Sequence, residues 1–277
     1  DLDFPLSQDL VNALYNSKGI TPDHLYSHQA AAINALHSGY HVVVATSTSS
    51  GKSLVYQLPV LHALEEDKNA RAMYIFPTKA LAQDQKRSLQ ELISWMPSLE
   101  GIVVETYDGD TPQEDRRSIR ENASVIFTNP DMLHAGVLPQ EEGWRMFLKG
   151  LRYVVVDELH YYNGLLGSHV AWVMRRLRRV CAALGNRGVR FVSCSATVEN
   201  PEEHFRGLFG IEDNVTVIDF DGSPSGRYTP YKRYSMLLTW VQAAKSSSFG
   251  TRRTKSPRTR PAAGGMPCSS ARGCSAS

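Results

Sequence analysis

Up to Gly226, short runs of β-branched and apolar residues alternate with stretches whose apolar positions fall three and four apart. The runs are His41–Ala45, Ala72–Phe76, Gly101–Glu105, Ser124–Thr128, Tyr153–Val156, Val189–Ser193 and Val215–Ile218. Each has the length and composition of a buried strand. The intervening patterns predict helices, among them Ser27–Ser38, Lys52–Glu65, Lys79–Trp95, Gln113–Glu121 and Leu165–Leu184. Ser27 reads as an N-cap with Gly39 just past the far end, and Thr111-Pro112 as another helix start. This alternation predicts an α/β domain over residues 1–226, a mostly parallel sheet with helices on both faces.

Within the Leu165–Leu184 helix, Leu166, Val170, Val173, Leu177, Cys181 and Leu184 form one apolar face. Arg175, Arg176, Arg178 and Arg179 fall on the other side, as a solvated face or a contact for nucleic acid or a partner.

Charge sharpens the domain boundary. The net charge is +2, yet ten of the 30 basic residues and none of the 28 acidic ones lie in 227–277. Residues 1–226 therefore carry a net −8. The segment 227–277 is rich in Ser, Arg and Pro and is expected to be a disordered tail. Its Arg252-Arg253-Thr254-Lys255 cluster reads either as a nuclear-import signal or as part of a spurious end. Cys181 and Cys194 read as core residues. Cys268 and Cys274 have no histidine nearby, which argues against zinc. No apolar run is long enough to span a membrane, and Asp1-Leu2-Asp3-Phe4-Pro5 resembles no signal peptide. The absence of an initiator Met suggests a fragment.

Three of the strand candidates end in turns with chemical potential. After His41–Ala45 comes Ser47-Thr48-Ser49-Ser50-Gly51-Lys52-Ser53, a loop opening onto a helix. Backbone N–H groups at such a start cradle phosphates, Lys52 would reach the β- and γ-oxygens, and Ser53 would bind Mg²⁺. The loop is poor in glycine: Thr46 stands at the first glycine position and Ser49 at another. Val154-Val155-Val156 ends in Asp157-Glu158-Leu159-His160. There Asp157 would hold Mg²⁺, and Glu158 would orient and deprotonate the attacking water. The third turn is Ser195-Ala196-Thr197. Carboxyl ends of parallel strands are where open α/β sheets bind ligands, so the three together point to nucleotide hydrolysis.

With His160 and Ser195-Ala196-Thr197, the sequence resembles superfamily 2 helicases of the DEAD/DEAH-box type, and further segments fit. Tyr26-Ser27-His28-Gln29 looks like the adenine-reading Q motif, with Gln29 on the base. Pro77-Thr78-Lys79-Ala80-Leu81-Ala82-Gln83-Asp84-Gln85 matches motif Ia. Asp108-Gly109-Asp110 and Thr128-Asn129-Pro130-Asp131 resemble the next two strand-contacting motifs. The segment from Asp157 through Gly167-Ser168-His169, and Asp221-Gly222-Ser223-Pro224, are similar to one subgroup. It comprises the fungal and archaeal DNA helicases related to the fourth human RecQ protein, whose bacterial relatives act in DNA repair.

The resemblance implies a RecA-like P-loop NTPase domain using ATP and Mg²⁺. It implies an ATP-binding set of Tyr26, Gln29, Thr48, Ser49, Ser50, Gly51, Lys52 and Ser53. Lys52, Asp157 and Glu158 would be catalytic, Ser53 and Asp157 would hold the metal, and His160, Ser195, Ala196 and Thr197 would couple hydrolysis to motion. Pro77, Thr78, Lys79, Gly109, Thr128, Asn129 and Pro130 would face a single-stranded or forked DNA, with RNA as the other candidate. Such contacts go to the sugar-phosphate backbone and carry no sequence code.

The family's second RecA-like domain supplies arginine fingers, and no Gln-x-x-Gly-Arg-x-Gly-Arg follows Gly226. The expectation is a truncated motor, or an end derived from a misread frame or retained intron. Loss of an arginine finger costs on the order of 10³–10⁵ in turnover. Weak nucleotide binding without unwinding is therefore expected of this chain. The alternatives are a half-motor that binds without turnover and another kind of P-loop NTPase. A GTPase is disfavoured because Asn-Lys-x-Asp is absent. The resemblance places the parent protein in the nucleus of a eukaryote or the cytoplasm of a prokaryote, moving 3′ to 5′.

Overall fold

The computed structural model describes residues 1–48, 50–196 and 199–223. Among these, seven strands form one sheet: β1 (His41–Ala45), β2 (Arg71–Ile75), β3 (Val104–Thr106), β4 (Val125–Thr128), β5 (Leu151–Val156), β6 (Arg190–Ser195) and β7 (Val215–Ile218). The order across the sheet is β3-β4-β2-β5-β6-β1-β7, and every pairing is parallel. The helices are α1 (Gln8–Lys18), α2 (Ser27–His37), α3 (Ser53–Glu66), α4 (Lys79–Ser94), α5 (Asp115–Asn122), α6 (Pro130–Met132), α7 (Glu141–Gly150), α8 (Gly164–Ala183) and α9 (Pro201–Phe209).

Side chains alternate between the two faces of each strand, which gives two cores. On one face Val42, Val44, Tyr74, Phe127, Val155 and Val192 pack against α1 to α4. On the other, Val43, Met73, Ile126, Val154, Val156 and Phe191 pack against α5, α7, α8 and α9. A strand covered on both sides has no polar face to show, so Val42-Val43-Val44 and Val154-Val155-Val156 are unbroken apolar runs.

The expected strands and helices are present, with local shifts. Ser27 is the first helical residue of α2 rather than its cap; Tyr26 takes that position, its N–H donating to Gln29 Oε1 at 2.9 Å. Thr111 does not open α5. Its hydroxyl accepts from Asp108 N at 2.9 Å in a turn, and the helix starts at Asp115.

The apolar face of α8 is as expected at Val170, Val173, Leu177 and Cys181, but Leu166 is 44% exposed. Two of its arginines are not simply solvated. Arg175 donates to the Gly207 carbonyl at 2.9 Å, and Arg178 donates to those of Phe209 and Gly210. They satisfy carbonyls at the end of α9 that have no partner within that helix.

Candidate active site

The phosphate-loop, acidic and Ser-Ala-Thr turns lie at the carboxyl ends of β1, β5 and β6, with β6 between the other two. Thr46 and Ser50 are fully buried beneath the loop. Ser50 Oγ donates to the Ser47 carbonyl at 2.9 Å and lies 2.6 Å from Thr46 Oγ1, which therefore donates to it. Hydroxyl pairing thus braces a loop that carries few glycines. Gly51 adopts a left-handed conformation there, φ +70°, and a Cβ on it would meet Gln29 Nε2 at 2.7 Å. Lys52 Nζ donates to the carbonyls of Thr46 and Ser47, across the mouth of the loop. Ser53 is the first residue of α3 and Thr48 is exposed, while Ser49 lies outside the described residues.

Asp157 ends β5. Its Oδ1 accepts from the Glu158 N–H at 2.9 Å and its Oδ2 faces the Tyr56 hydroxyl at 3.1 Å. Burial pushes its pKa up to about 6, the neighbouring Glu158 adding to the rise against the opposing pull of the N–H and hydroxyl donors. Glu158 sits in the left-handed region at φ 54° and ψ 50°. That conformation costs a non-glycine residue about 1–3 kcal/mol and is concentrated at functional sites. His160 Nδ1 lies 3.4 Å from Glu158 Oε2 and 3.2 Å from Ser195 Oγ. The acidic turn and the Ser-Ala-Thr turn are thereby joined through one imidazole. Ala196 is half-buried beside Ser195, and Thr197 lies outside the described residues.

Ser53 and Asp157 fit Mg²⁺, a cation that takes one or two protein oxygens and completes its shell with phosphate and water. Among the described residues no three His, Cys, Asp or Glu side chains gather into a protein-only cage.

The Q-motif-like segment grips the phosphate loop. Gln29 Nε2 donates to the Gly51 carbonyl at 2.8 Å, so both ends of this amide have protein partners. His28, fully buried, accepts from Gly222 N–H at Nδ1 (3.1 Å) and therefore donates from Nε2 to the Ser50 carbonyl (3.0 Å). Its pKa is lowered, chiefly by burial, in keeping with this neutral form. Tyr26 is half-buried with its ring stacked on that of His28.

The strand-facing candidates gather on the other half of the sheet, after β2 and β4. Pro77, Thr78, Lys79, Thr128, Asn129 and Pro130 line one cleft of about 260 Å³, with Tyr161 at its wall. Thr78 caps α4, its Oγ1 accepting from Leu81 N, and Asn129 caps α6, its Oδ1 accepting from Met132 N at 2.8 Å. Lys79 is exposed and paired with Asp110, two residues from Asp108 in the neighbouring turn. Gly109 is exposed between them. Thr128 is buried at the end of an interior strand, and its hydroxyl has no hydrogen-bond partner among the described residues.

Several site residues escaped the sequence reading. Tyr56 faces both Asp157 and Gln85 Oε1 (3.2 Å) of α4. Asp221 accepts from Ser47 Oγ at 2.5 Å. Burial opposes ionisation of Asp221, but the hydrogen bonds from Ser47 and Ser223 prevail and hold its pKa at about 2. No local signal marks Tyr56 in an apolar helix; Asp221 stood in a recognised segment without a role.

Residues 26–204 match the family model described as DEAD/DEAH box helicase. The chain is 55% identical over 222 residues to the ATP-dependent helicase hrq1 of Schizosaccharomyces pombe, covering 80% of this chain and 21% of that protein. It is 45% identical to the uncharacterized ATP-dependent helicase YprA of Bacillus subtilis, covering 78% of this chain and 28% of that one. The crystal structure of the DUF1998 helicase MrfA bound to DNA and AMPPNP aligns with a TM-score of 0.75 at 37% identity, covering 87% of this chain and 35% of that one. The chain thus spans about a fifth to a third of the proteins it matches. It belongs to the DEAD/DEAH box helicase family.

Proposed function

We propose that this domain is the ATP-binding half of a DNA helicase motor, moving 3′ to 5′ and serving DNA repair. The observation that carries the reading is the Glu158–His160–Ser195 contact beside Asp157, next to a phosphate loop on the same sheet end. In this reading the loop N–H groups and Lys52 hold the triphosphate, and Glu158 accepts a proton from the attacking water. Ser53 and Asp157 would hold Mg²⁺, which would supply charge neutralisation at the phosphate oxygens. His160 lies between the carboxylate that changes protonation and the Ser195 turn, so the imidazole carries that change into β6. DNA is favoured over RNA by the DNA-bound MrfA structure at 37% identity. The RNA-bound helicase Mss116, at 13%, shares the fold alone.

The second RecA-like domain would complete the site with its arginine, worth about 10³–10⁵ in rate. The test is ATP hydrolysis with and without single-stranded DNA, comparing the chain with Glu158→Gln. DNA-stimulated turnover lost in the variant is the expected result for an active motor half. Turnover at background in both, with AMPPNP binding retained, would make the domain a nucleotide-binding module instead.

A further inference from the structure

The Asp221-Gly222 segment leaves the sheet beside the phosphate loop for a topological reason. Strand β7 pairs with β1 in the register Val44↔Ile218, so the chain exits β7 next to the point where β1 runs into the loop. There it makes three contacts with the nucleotide half of the molecule. Asp221 Oδ2 accepts from Ser47 Oγ at 2.5 Å, and its side chain is only 4% exposed. Gly222 N–H donates to His28 Nδ1 at 3.1 Å, and His28 in turn holds the Ser50 carbonyl. Gly222 also lies so close to the first turn of α2 that a Cβ would meet Ser27 Oγ at 2.0 Å and Ser27 N at 3.1 Å. Asp221 Oδ1 accepts from Ser223 N at 2.9 Å, which shapes the segment to fit this seat.

We propose that Asp221 and Gly222 form a latch that positions the phosphate loop and couples its occupancy to the segment leaving the domain, Ser47 and His28 being the catch. The inference rests on the nucleotide reading above. Two partly buried polar links run from one short segment to Ser47 and, through His28, to Ser50. The loop is therefore held at both points while the latch is seated, and nucleotide meets a preorganised loop. By linkage, a ligand that favours the seated loop must favour the seated segment to the same extent. Ser47, His28 and Asp221 act here as positioning residues, through the loop rather than on the reacting atoms.

The test is calorimetric titration of Mg²⁺·AMPPNP into the full chain and into Ser47→Ala, Asp221→Ala and the double variant. Hydrogen exchange of residues 219–223 is followed with and without nucleotide. Each single change should weaken binding about three- to tenfold, a fraction of the full worth of one charge-assisted hydrogen bond, because nucleotide feels it only through the loop. The double variant should be no weaker than the worse single, because both changes remove the same bond. Asp221→Asn, which keeps an acceptor, should recover part of the loss and so exclude misfolding as its cause. Nucleotide should slow exchange at 219–223 in the unmodified chain and not in Ser47→Ala. Unchanged affinity in Asp221→Ala, or exchange at 219–223 indifferent to bound nucleotide, would overturn the latch alone. Absence of AMPPNP binding to the unmodified chain would overturn the nucleotide reading, and the latch with it.

Discussion

Replacing Tyr56 by Phe removes one hydroxyl from the centre of the site and almost nothing else. The ring is buried, 1% exposed, and packs edge-on against Tyr74 at 5.7 Å, contacts that Phe keeps. What goes is the donor 3.1 Å from Asp157 Oδ2. A hydrogen bond to a charged acceptor contributes about 1.5–3 kcal/mol, and a neutral one about 0.5–1.5 kcal/mol. Asp157 switches between these two cases, since its pKa in the folded protein is about 6. At pH 8 the carboxylate is ionised and the variant should lose about 1.5–3 kcal/mol of stability. At pH 5 the group is mostly protonated and the loss should fall to about 1 kcal/mol. The difference corresponds to a further rise of roughly one unit in the Asp157 pKa, at about 1.4 kcal/mol per unit. Urea unfolding followed by circular dichroism at both pH values measures it directly. Equal losses at pH 5 and pH 8 would refute the reasoning and assign the hydroxyl proton to Gln85 Oε1 instead.

The raised pKa of Asp157 also gives metal binding a pH window. Because the folded value, about 6, lies above the ordinary 3.8, ionised Asp157 is a cost to stability above pH 6 that is relieved as the pH falls through 6 towards 3.8. In the proposed reading Mg²⁺ requires the ionised form. The affinity for Mg²⁺·AMPPNP should therefore drop by up to about tenfold per unit below pH 6, a component that Asp157→Asn should lack in the same titration. A third expectation concerns α8. Arg178→Ala should cost about 1–3 kcal/mol by stranding the carbonyls of Phe209 and Gly210, whereas Arg179→Ala, exposed, should change stability by less than about 0.5 kcal/mol. Urea midpoints of the two variants give the comparison.

The strands and the motif loops were legible in the amino-acid order because their causes are local. Val42-Val43-Val44, short and β-branched, reads as a strand covered on both faces, and Gly51-Lys52-Ser53 at a helix start carries its phosphate signal in consecutive residues. The family resemblance rests on the same kind of short, contiguous signal. Tertiary structure decided what those residues touch. Tyr56 meets Asp157 across 101 positions, Asp221 meets Ser47 across 174, and His28 meets Ser50 across 22. Thr128 is buried and Lys79 found Asp110, neither of which its own neighbours in sequence announce. The half-buried arginines of α8 show the difference most plainly. Periodicity correctly set them off the apolar face, but the partner that takes Arg175 and Arg178, the carbonyl end of α9, comes from a later helix. Short-range sequence specifies an element and its chemistry through local sterics and hydrogen bonding. Which polar groups meet depends on how the crossovers stack the helices, and that is settled only when both faces of the sheet are buried.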